Sequence, residues 1–80
     1  MEQENVCLCD CKVGQVYNIE HISERLSLKN RMRLFEFGFL KEQKIKLVKK
    51  SILKKTLLVE LMNNVLSIRN DIAMFVMVSR

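Results

Sequence analysis

Three thiols, one imidazole and a run of lysines are the side chains of this 80-residue chain whose type and spacing bear on chemistry. The segment "CLCDC" puts Cys7, Cys9 and Cys11 at alternate positions. In an extended strand alternate side chains fall on one side, about 6–7 Å apart. The spacing therefore predicts a row of three sulfurs. Thiolates hold zinc, copper(I) and iron–sulfur clusters. Against that reading, structural zinc sites draw on two separated ligand pairs, and His21 is the sole histidine. Cysteine also serves as a small core residue. Packing outweighs ligation, so no metal or cofactor ligand is assigned. The chain shows no acid/base pair, nucleophile–histidine set or phosphate-cradling glycine loop, and a non-catalytic protein is expected.

Lys44, Lys46, Lys49, Lys50, Lys54 and Lys55 crowd one region, and the net charge is +5. Lysines protect strand edges from unwanted pairing. They also make a docking face for an acidic protein surface or for lipid headgroups. Nucleic acid is not expected, because the aromatic platform on which bases stack is missing: Tyr17 is the only tyrosine and there is no tryptophan.

The elements that must position these groups follow from periodicity. "VYNIEHI", from Val16 to Ile22, is rich in β-branched and aromatic residues and reads as a strand. Ile19 and Ile22 sit three apart, which breaks alternation and predicts a bulge or bend. Ser27 is a candidate N-cap. Leu28, Met32, Phe35 and Phe39 then recur at helical spacing, widened by Leu34 and Phe37, for a helix over about 28–37. Gly38 fits the left-handed position just past that helix. The Schellman arrangement would bring Phe39 back onto Leu34, so that the flanking phenylalanines seal one end of the core. Ile45 and Leu47 alternate with lysines in a half-buried strand. "SILKK" is a basic connector. "TLLVELM" is a strand with Leu57, Val59 and Leu61 on one face and Leu58, Glu60 and Met62 on the other. Asn63-Asn64 supplies a turn. "VLSI" returns, "RNDIAM" makes a helical turn, and "FVMV" closes the chain. One short helix cannot cover an open sheet of this size. The fold class is therefore mainly β: a small, strongly bent barrel of about five to six short strands, with the helix capping an end.

Residues 1–6 read as a flexible tail and 7–80 as a single domain. With 49% apolar residues and 29% charged, the chain is globular and not disordered. The acidic "MEQENVCLCDCKVGQ" lacks the plan of a secretory signal, and the longest apolar runs fall far short of the roughly 20 residues that span a bilayer. Three clustered cysteines make a poor disulfide framework and fit a reducing compartment. A cytoplasmic location is expected.

With these residues in order, the chain resembles the ferrous iron transport protein A (FeoA) family, over roughly residues 8–78. Leu8, Cys11 and Gly14 resemble the family's opening pattern. Arg33, Leu34, Phe37, Gly38 and Phe39 resemble its central signature of a basic helix running into leucine, glycine and an apolar residue. Val65, Leu66, Ile68, Arg69, Ala73, Val76 and Val78 are similar to its closing hairpin and strand. Where the family commonly has proline and glycine after the helix, this chain has Lys41 and Glu42. Val13 and Asn63 likewise stand at usual proline and glycine positions. The resemblance implies an SH3-like barrel without catalytic role. It implies binding to the cytoplasmic domain of a GTPase-type membrane ferrous iron transporter, with the membrane approached only through that partner. The apolar strip around the helix end and the lysine hairpin are the candidate contact faces. A basic nucleic-acid-binding barrel and a thiol-based metal-binding protein are the alternatives.

Overall fold

Short stretches of branched apolar residues, separated by turn-forming positions, become antiparallel strands that share one core. The computed structural model describes residues 5–80. The elements are β1 (Val6–Cys7), a 3-10 turn (Leu8–Asp10), β2 (Val16–Ile22), α1 (Leu28–Glu36), β3 (Lys44–Ser51), β4 (Thr56–Leu61), β5 (Asn64–Arg69), α2 (Asn70–Ala73) and β6 (Val76–Ser79). The six strands form one antiparallel sheet in the order β1-β6-β2-β3-β4-β5. The expected tail falls mainly on residues 1–4, which lie outside the described residues, while Val6 pairs with Val78 in β1.

Two bulges bend the sheet enough to wrap a core. The register of β2 against β6 shifts between Ile19 and His21, where the broken alternation predicted it. The carboxylate of Glu20, in that bulge, accepts a hydrogen bond from the buried hydroxyl of Ser79. A second shift falls between Leu47 and Lys49 in β3. Ile19, Ile45, Leu47, Val59, Val76 and Val78 fill the interior, with Leu8 and Phe39 closing over it.

The helix begins where Ser27 accepts a hydrogen bond from the Asn30 amide at 3.3 Å. It stops by the predicted route. The Phe39 amide donates to the Leu34 carbonyl at 3.0 Å and the Gly38 amide to that of Phe35 at 3.0 Å, the two bonds of a Schellman stop. Gly38 sits at φ +99°, and Leu34 and Phe39 are both buried. A Cβ on Gly38 would lie 2.7 Å from the Met62 sulfur. Gly38→Ala should therefore cost about 1–2 kcal/mol from the backbone alone, with a further penalty for moving Met62. Urea denaturation reads this out, and an unchanged midpoint would refute the need for glycine.

Two expectations need correction. Leu28, Met32, Phe35 and Phe37 do not join the core; all four are exposed, and Leu34 is the buried residue of α1. The stripe has helical period, but the barrel meets the helix along a different line. The turn between β4 and β5 is Met62-Asn63, because Leu61 pairs with Asn64. Both loop residues take positive φ, 53° and 68°, so Met62 leaves the strand face assigned to it. Two-residue hairpins demand positive φ at both loop positions to match strand twist. Glu42, which replaces a usual glycine, also adopts φ 70°.

Candidate interaction surface

The three cysteines do not form a row. Leu8–Asp10 folds as a 3-10 turn, which rotates about a third of a circle per residue where a strand rotates half. Each sulfur finds a separate acceptor: Cys7 the Asp10 carboxylate at 3.2 Å, Cys9 the Asn70 carbonyl at 3.3 Å, and Cys11 the Cys7 carbonyl at 3.5 Å. Cys11 is a core residue. Among the described residues no group of three or more His, Cys, Asp or Glu side chains is placed to hold a metal ion. His21 lies exposed on β2 beside the bulge.

Burial pushes the Cys9 and Cys11 thiols up to about 11; nearby Cys7 adds to the effect at Cys9. Burial, then the hydrogen bond to Asp10, also raises Cys7. A rise from 9.0 to about 11 leaves on the order of 100-fold less thiolate at pH 8 than the ordinary thiol holds. Cys9 and Cys11 should react with a disulfide reagent that much more slowly in the folded protein than in urea. Equal rates would contradict it. The folded state favours the protonated thiols, so this contribution to stability is present below pH 9 and is lost as pH rises towards 11.

The lysines line the β3–β4 hairpin and are exposed. Lys50 reaches the Cys9 carbonyl at 3.1 Å and Lys44 the Asn18 side chain at 3.4 Å.

The apolar strip expected around the helix end is one wall of a groove, whose second wall on β5 the sequence did not reveal. The end of α1 stands away from β5 and leaves a groove of about 300 Å³. Leu34, Phe37 and Phe39 form one wall, Leu66 and Ile68 the other, and Ile72 of α2 closes one end. Phe37 is 54% exposed at its rim. Arg33 and Arg69 flank the groove and no carboxylate lines it. Arg69 is held by Asp71 through two bonds of 3.1 and 3.0 Å, which leaves Arg33 as the unpaired charge among the described residues that line it.

One wall of this groove is an open sheet edge. β5 pairs with β4 alone. The Asn70 amide donates to the Lys55 carbonyl at 2.9 Å. Counting back by twos, Ile68, Leu66 and Asn64 turn their main-chain groups towards β4. The amides and carbonyls of Val65, Ser67 and Arg69 therefore face outward. The strand carries neither lysine nor proline, the usual guards of an edge. Leu28, Met32 and Phe35 are exposed as well, but at helical spacing they fall on the side of α1 opposite the groove-lining Asn30, Arg33 and Leu34. Alternating Leu66 and Ile68 were legible as strand residues, but an open edge is a property of the whole sheet.

A bent six-stranded antiparallel sheet, with α1 as its one helix longer than a single turn, defines a small SH3-like domain. Residues 6–80 match the family model of the FeoA domain, and the chain belongs to the FeoA family. No curated protein sequence matches the chain. Among solved structures it is similar to iron(II) transport protein A of Clostridium thermocellum, with 19% identity and a TM-score of 0.83 over 92% of this chain. It spans 44% of that relative's length. FeoA of Chlorobium tepidum gives 20% identity and a TM-score of 0.83, covering 92% of this chain and 69% of that one. FeoA of Stenotrophomonas maltophilia, complexed with zinc and described as an SH3 domain protein, gives 23% identity and a TM-score of 0.80, covering 91% and 88%. Its describers suggest that it acts as a bacterial ferrous iron transport activating factor. At these identities the structural likeness establishes the fold.

Proposed function

We propose that the chain is a non-catalytic, cytoplasmic accessory protein of ferrous iron uptake, which binds the cytoplasmic GTPase part of a membrane iron transporter and modulates it. Membership of the FeoA family and the activating role suggested for the Stenotrophomonas relative support the pathway. The observation that carries the binding is the apolar groove beside the unguarded β5 edge. An extended segment of the partner lies along β5 and exchanges main-chain hydrogen bonds with Val65, Ser67 and Arg69. Its alternate side chains enter the groove, and an acidic residue meets Arg33. Strand addition of this kind draws affinity from the backbone and specificity from the pocket. Ferrous iron is the transporter's cargo and needs no site on this chain.

Titration calorimetry of the full chain with the transporter's cytoplasmic part tests the reading. Saturable binding is expected, with the amides of Val65, Ser67 and Arg69 protected from hydrogen exchange in the complex. Absence of binding at both low and high salt would refute the proposed role.

A further inference from the structure

Ile52 and Leu53 occupy the tip of the β3–β4 hairpin and are 89% and 95% exposed, more than any other large apolar side chain described. Single exposed aliphatic residues are ordinary. Two in succession at a projecting turn, touching almost nothing, are not explained by packing. Their setting is equally unusual. Lys49 and Lys50 precede them on β3, Lys54 and Lys55 follow within the turn, and Lys44 and Lys46 stand further back on the same strand. No carboxylate occurs between Gln43 and Val59. Glu60 stands opposite Lys46 at the far end of the hairpin, and near the tip Asp10 and Asp71 share a shallow depression with Lys54 and Lys55. Among the described residues the sole salt bridge joins Arg69 to Asp71, so all six lysines remain unpaired.

The tip is also tied in place. The Lys54 amide donates to the Ser51 hydroxyl at 3.3 Å, and the Asn70 amide holds the Lys55 carbonyl at 2.9 Å. Lys55 turns the chain at φ 54°. A braced hairpin thus presents two aliphatic side chains ahead of a collar of ammonium groups.

We propose that this hairpin tip inserts into the surface of an anionic lipid bilayer. Ile52 and Leu53 enter the boundary between headgroups and acyl chains, and the lysine collar rests on lipid phosphates. An acidic protein surface would match the lysines but would need an apolar pocket placed just ahead of its carboxylates, whereas an anionic bilayer offers charge with an apolar layer beneath it everywhere. Each lysine near an anionic surface adds roughly fivefold to partitioning, and burying each aliphatic side chain about tenfold or more. Lipidation and amphipathic anchors show that apolar insertion and charge together hold a protein where either alone does not. The groove beside β5 is a separate surface, so the inference does not depend on the transporter reading.

The test uses purified full-length protein and vesicles alone. Co-sedimentation is measured with vesicles of phosphatidylcholine containing about 30% phosphatidylglycerol, which supplies the anionic charge, and with pure phosphatidylcholine, which has no net charge. Binding to the anionic vesicles is expected, with at least about a tenfold loss for I52S/L53S and a steep fall as salt screens the collar. The native chain has no tryptophan, so Leu53→Trp reports insertion directly by a blue-shifted emission that brominated lipid quenches. Both substitutions alter side chains that pack on nothing, and circular dichroism confirms the fold. No binding to anionic vesicles overturns the proposal. So does binding that I52S/L53S leaves unchanged, an unshifted tryptophan in the bound protein, or a stronger affinity for duplex DNA than for the vesicles. None of these outcomes alters the expected binding of the transporter's cytoplasmic part.

Discussion

Phe39→Ala should cost about 3–5 kcal/mol, the range for emptying a buried aromatic site. A chain of this size has a total stability of about 5–10 kcal/mol, so the variant should be marginal at room temperature. Phe39 is 1% exposed and is the largest fully buried side chain. Its place is dictated by the helix stop, since its amide is bound to the Leu34 carbonyl at 3.0 Å and Gly38 has already reversed the chain. The backbone cannot shift to collapse the cavity without breaking that bond. Phe39→Leu keeps most of the volume and should lose less than half as much. Urea denaturation monitored by circular dichroism measures both. A loss below about 1 kcal/mol for Phe39→Ala would mean that the helix exit does not anchor the barrel.

Phe37→Asp separates the surface from the core. Two residues before Phe39, Phe37 stands at the groove rim, more than half exposed. Its replacement should leave the unfolding midpoint nearly unchanged and weaken binding of the transporter's cytoplasmic part by about 30-fold or more, as expected for an aromatic anchor in the centre of an interface. The new carboxylate would also repel the acidic residue assigned to Arg33. Ser67→Pro complements it by deleting an outward main-chain donor at an edge, where proline is tolerated. It should weaken binding about tenfold for one lost hydrogen bond and the ring's obstruction of pairing. Full affinity in Phe37→Asp would place the contact elsewhere on the protein. Loss in Phe37→Asp with full affinity in Ser67→Pro would keep the groove and remove the strand addition.

The adjacent fates of Phe37 and Phe39 show how much of this protein is legible in one dimension. The helix over 28–37, its Ser27 cap and its stop at Gly38 follow from interactions within a few residues, and all appear as expected. The bulge near Ile19 was visible as broken alternation. The cysteine row failed because strand geometry was assumed for residues that form a 3-10 turn. That turn places Leu8 in the core, a demand made by distant residues of the barrel.

Local signals in the sequence thus determined the mainly β class, the capped helix, the glycine stop and the basic hairpin, because caps, turns and alternation act over short separations. Which apolar residues stay outside was decided only by the tertiary structure. Leu28, Met32, Phe35, Phe37, Ile52 and Leu53 carry the same hydrophobicity as core residues, and their exposure arises from which face of the helix and which end of the hairpin the closed sheet leaves uncovered. The unpaired edge of β5 has the same origin, since a strand's free side is known only once every other strand has found its neighbour.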